Sequence, residues 1–163
     1  MLRNLAQPIL LVFAALGLTG CVESASPVTQ ATPMEAMVKV GDQSQFTAML
    51  QTLLDQPPGA FIVIEHPETQ KFVQFAGSRT EGLLLDLPTH TLTTDETERA
   101  RRLLQPRGAT ELQLGDDGKD QPSTFQLQFN RDAQAAAQLC RDIFQDIYQY
   151  PPDRLLRVSI TID

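Results

Sequence analysis

From residue 42 onward the apolar residues switch repeatedly between helical and strand spacing, and this alternation limits the fold more than any other feature. Behind Asp42 and Ser44, either of which can cap a helix, Phe46, Met49, Leu50, Leu53 and Leu54 recur on one helical face. Pro57-Pro58-Gly59 stops that helix. Residues 60–65 (AFIVIE) read as a buried strand, 67–70 as a turn and 71–76 (KFVQFA) as a second strand, together a hairpin. Gly77-Ser78-Arg79 is a break before a third strand over 83–87. Thr93 and Glu96 have the spacing of a capping box and open a second helix with a thin apolar stripe of Ala100, Leu103 and Leu104, ended by Pro106 and Gly108. A weak fourth strand is expected over 110–114, and a polar loop over 115–123. In a fifth strand, 124–129, Phe125, Leu127 and Phe129 alternate with Gln126 and Gln128.

The third helix is expected over 132–148, with Ala133, Ala136, Ala137, Cys140, Ile143, Phe144 and Ile147 along one side. In the last strand, 156–162, Leu156, Val158, Ile160 and Ile162 alternate with Arg157, Ser159 and Thr161. Strands that are dry on one side only call for helices on that side. The expected fold is therefore α+β, a mostly antiparallel sheet with helices packed on one face, in the order αβββαββαβ. No internal repeat is present.

The amino-terminal residues follow a different logic. Arg3 supplies one positive charge, and residues 9–18 form an uninterrupted apolar run of ten. A membrane-spanning helix needs about 20 such residues, so the run has the length of a signal-peptide h-region instead. It ends in Leu18-Thr19-Gly20-Cys21, which resembles the lipobox of bacterial lipoproteins. That resemblance implies a signal peptide over 1–20, a diacylglyceryl group on the Cys21 sulfur and an acylated new amino terminus. Val22, in place of aspartate, implies sorting to the outer membrane where the cell has one. Residues 21–41 are rich in Ser, Thr, Ala and Pro without periodicity and are expected to form a flexible tether. The folded domain is then 42–163.

Within that domain the element order resembles the small α+β fold of the secretion-chaperone superfamily, including its TY-chaperone-like branch. Local phrases add to the likeness: the aromatic strand 71–76, the Asp/Ala-rich start of the third helix, and residues 143–152 (IFQDIYQYPP) leading into the last strand. The resemblance implies a protein-binding role.

Catalytic and cofactor signatures are missing from the chain. It has no GxSxG, no GxGxxG and no phosphate-cradling loop, and neither CxxC, HxxxH nor HExxH spacing for a metal. Cys140 falls among Ala136, Ala137 and Phe144, where a thiol packs in the core. His66 and His90 are expected as exposed loop residues, and Asp116-Asp117-Gly118-Lys119-Asp120 as a turn lacking the full calcium-loop pattern. A net charge of −7 disfavours nucleic acid. Phe72, Tyr148 and Tyr150 remain as interface candidates; the alternative is that Phe72 and Tyr148 cap the edge of the core. The functional expectation is a non-catalytic, lipid-anchored envelope protein that binds a protein or peptide, with strand addition along the last strand as one route. A carboxylate/histidine hydrolase and a structural lipoprotein without a discrete ligand are the alternatives.

Overall fold

A computed structural model describes residues 34–113 and 123–162. The expected signal peptide over 1–20, Cys21, most of the expected tether and the acidic run 116–120 lie outside the described residues. The caps form where their chemistry calls for them. The Asp42 carboxylate accepts from the Gln45 backbone N–H and the Ser44 hydroxyl and opens α1 (Gln43–Leu54). Thr93 and Glu96 close a reciprocal capping box on α2 (Thr94–Leu104). Asp132 caps α3 (Ala133–Asp142) through the Ala135 N–H.

The strands are β1 (Met34–Lys39), β2 (Phe61–His66), β3 (Lys71–Ser78), β4 (Gly82–Pro88), β5 (Thr110–Gln113), β6 (Ser123–Asn130) and β7 (Leu155–Thr161). They form one seven-stranded sheet in the order β1-β7-β2-β3-β4-β6-β5. Each pairing is antiparallel. Alternate residues of the central strands, Ile62, Ile64, Val73, Phe75, Leu83, Leu85 and Leu87, are wholly buried. The residues between them, including Phe61, Val63, Phe72, Gln74, Leu84 and Asp86, are half exposed. Period-two geometry sends the two sets to opposite sides of the sheet. α1 meets β2, β3 and β4, α3 meets β4 and β6, and the two helices pack against each other. Phe46, Leu50, Leu53, Leu54, Ala136, Ala137, Cys140 and Phe144 complete this core.

Three expectations need correction. Residues 34–41, expected within the flexible tether, are structured instead, because Met34–Lys39 pairs with β7 along its whole length and the observed order is βαβββαββαβ. Val38 and Val40 are buried there, which supplies the apolar gain that the segment lacked when read alone. The last strand is not an edge, since β7 lies between β1 and β2. Nor does the third helix run unbroken to Tyr148. Ile143–Ile147 forms a π turn, in which the Tyr148 N–H donates to the Ile143 carbonyl and the Arg99 side chain donates to the Ile147 carbonyl.

Two glycines with positive φ differ in their surroundings. At Gly82, φ is 75°, and a Cβ would stand 2.2 Å from the Asn130 carbonyl oxygen across the β4–β6 pair. At Gly108, φ is 87° and a Cβ would meet nothing within 4 Å. Gly108→Ala is therefore expected to destabilise by about 1 kcal/mol, from backbone strain alone. Gly82→Ala is expected to cost at least about 2 kcal/mol, because strain and a backbone clash add. Urea midpoints of the two variants check the order.

Candidate functional site

The β2–β3 hairpin turns at Pro67, Glu68, Thr69 and Gln70, with Gln70 at φ 56° and its N–H donating to the His66 carbonyl. His66 continues the buried series Ile62, Ile64, so the strand's own period carries its imidazole inward, and only 4 % of the residue is exposed. It is not the exposed loop residue expected from the polar turn that follows it. The Thr69 hydroxyl stands 3.2 Å from His66 Nδ1 and is hydrogen-bonded to the Tyr150 hydroxyl. The Tyr150 ring lies 4.8 Å from the imidazole, and the Arg154 guanidinium lies 5.9 Å from the centre of that same Tyr150 ring. Tyr150 reaches this place because Gln149, at φ 60°, reverses the chain after the π turn, and the Tyr150 N–H bonds to the Phe144 carbonyl.

Beside His66 in the hairpin, Lys71 aims its ammonium at α2. Nζ donates to the Thr91 carbonyl and to Glu96 Oε2, each at 2.6 Å, and stands 5.9 Å from the centre of the Tyr148 ring. Glu96 also accepts from the Thr93 N–H at 2.7 Å, so one carboxylate closes the helix cap and neutralises the lysine. Burial pushes the Glu96 carboxyl upward, but the Lys71 and Thr93 hydrogen bonds outweigh it and hold its pKa below the usual 4.5.

Of the three aromatic residues singled out in the sequence, Tyr148 and Tyr150 lie together here, and Phe72 meets them only through its backbone carbonyl. The Tyr148 hydroxyl donates to the Phe72 carbonyl at 2.7 Å, and the rings of Tyr148 and Tyr150 are 6.0 Å apart. Tyr148 is itself buried, and burial raises its phenol pKa, so it closes the core rather than facing a partner. Phe72 and Tyr150 are half exposed. Phe72 projects on the outer side opposite Glu65, which holds Arg157 through Oε1 and Nε at 2.9 Å.

Two clefts flank the hairpin end. One, of about 500 Å³, is lined by Met37, His66, Glu68, Pro151 and Arg154. The other, of about 610 Å³, is lined by Glu65, Lys71, Phe72, His90, Thr91 and Arg157. His90 is exposed in a 3₁₀ turn, as expected, and the two histidines line different clefts. Cys140 is wholly buried on α3 and its thiol pKa is pushed up by burial. Among the described residues no three His, Cys, Asp or Glu side chains converge as metal ligands. Lys71, Thr69 and Arg154 were not singled out in the sequence, and Glu96 was legible there only as a cap. No family model, no curated protein and no solved structure matches the chain.

Folding lowers the Glu96 pKa, so the ionised carboxylate stabilises the fold. That contribution is complete above the ordinary value of 4.5 and is lost as pH falls through the lower folded value. Glu96→Gln is expected to flatten the acid limb of stability below about pH 4.5, as measured by urea unfolding across pH. Lys71→Met leaves Glu96 without its counter-ion and is expected to cost about 1–3 kcal/mol at neutral pH, with a smaller cost in acid. An equal cost at both pH values would refute the pairing as its cause.

Proposed function

We propose that this chain is a lipid-anchored protein of the bacterial cell envelope, attached through Cys21, whose domain binds a protein or peptide without catalysing a reaction. In this reading the three helices gather on one side of the sheet and leave the other side to the partner. The observation that supports it is the makeup of that outer side. Phe61, Val63, Phe72 and Leu84 are half exposed and contribute nothing to the core cluster. The sheet register makes them neighbours. Phe61 faces Ala76, which faces Leu84, while Val63 and Phe72 stand diagonally across the β2–β3 pair. Gln74, Asp86 and the Glu65–Arg157 ion pair border them. An apolar centre with a polar margin has the composition of a recognition surface. The adjoining cleft gives Phe72 a recess into which a partner side chain can enter.

A photoreactive amino acid at Phe72, in the full chain expressed in cells, is expected to give a discrete adduct. The same probe at Gln134, exposed on α3, is expected to give none. Equal adducts at both sites, or none at either, would remove the support for binding at this surface. Cys21→Ser is expected to abolish fatty-acid labelling and to leave the precursor uncut; trimming and membrane retention at the normal level would end the anchor assignment.

A further inference from the structure

We infer that two copies of this chain join through β1, in antiparallel register, to make a continuous sheet across both. The strand is an edge of the sheet among the described residues. Its pairing with β7 runs from Met34 to Lys39 without a register shift, so no bulge turns the edge aside. No proline interrupts it.

The direction of its free backbone groups follows from one hydrogen bond. The Val40 N–H donates to the Arg154 carbonyl, continuing the β1–β7 ladder by one residue. Hydrogen-bonded and non-hydrogen-bonded pairs alternate along an antiparallel ladder. The even-numbered residues therefore bond to β7, and the backbone N–H and C=O groups of Glu35, Met37 and Lys39 point to the open side. The side chains of these same three residues are exposed, Met37 at 53 %.

The sequence of the edge is complementary to itself when reversed. With a two-fold axis at Met37, Met37 meets its own counterpart, and Glu35 of each copy stands opposite Lys39 of the other. Opposite charges then face each other twice across the new pair. The Met37 residues exchange two backbone hydrogen bonds, and each Lys39 N–H donates to a Glu35 carbonyl; the Lys39 carbonyl already accepts from the Asp42 N–H. Centring the axis on Ala36 or Val38 preserves the faces but opposes Glu35 or Lys39 to an uncharged residue. The charges thus select one register. It is isologous, so it closes at two copies instead of propagating. In it the two Met34 residues lie about 20 Å apart along the strands. A stretch of chain from Cys21 to Met34 reaches about 40 Å when extended, so two anchors in one bilayer are compatible with it.

The test uses the full chain in its own membrane. Met37→Cys is expected to form a disulfide-linked dimer on mild oxidation, at least tenfold faster than Gln134→Cys. Glu35→Cys is expected not to link to itself, because its counterpart lies about 13 Å away, beyond the reach of a disulfide. In the Met37→Cys background, Glu35→Lys is expected to slow linking at least fivefold, and adding Lys39→Glu to restore it. Circular dichroism verifies that each variant is folded, and all substitutions fall on exposed side chains. Equal linking at positions 37 and 134, self-linking at 35, or failure of the double reversal to restore the rate each overturns the inference.

Discussion

The pairing of β7 with β2, from Phe61 with Thr161 to Glu65 with Arg157, is the contact on which the rest of the architecture rests. It takes a strand from the end of the described chain and inserts it beside the first hairpin. β1 has a partner only because β7 is there. The same insertion fixes where the α3–β7 connection must pass. Pro151 to Arg154 cross the end of the sheet, which holds Tyr150 against His66 and lets Arg154 receive the Val40 N–H. Without the β2–β7 ladder the hairpin end would lose its aromatic cover and the buried imidazole its neighbour.

At that end, polar groups inside the protein are matched to one another. Lys71 crosses from β3 to the start of α2, and its ammonium is satisfied by the Thr91 carbonyl and the Glu96 carboxylate. Tyr148 ties the π turn to the β3 backbone. A buried charge without such partners is costly, so these bonds act as clamps among the hairpin, α2 and the end of α3. The outer side of the same hairpin is left free for Phe72, which is the basis of the proposed binding surface.

Local chemistry made much of this legible in advance. The caps at Asp42 and Thr93 depend on hydroxyls and carboxylates within a few residues, and they form as that chemistry requires. Alternation in β6 and β7 likewise stated which side of each strand is dry. Alternation reports faces but not neighbours, and for that reason β7 read as a possible edge. β1 was illegible for a related reason. In MEAMVK only one residue is β-branched, and its burial depends on a strand that follows much later in the chain. His66 carried a usable signal, being the next inward position after Ile62 and Ile64, which the adjacent proline and the polarity of the ring obscured. The position of Tyr148 depended on a π turn that leaves no periodic mark.

Met34 meets Ile160, so the sheet joins strands from opposite ends of the described chain. A chain delivered from its amino terminus, as during synthesis, presents β1 long before β7 arrives to receive it. Until then its backbone groups are unmated on both flanks, and α1 has only part of the surface it will cover. The hairpin β2–β3 and its extension to β4 need only nearby residues and can assemble first. Closure of the sheet therefore waits on β7, and until that strand pairs, the unmated edges of the growing sheet are open to unwanted strand exchange.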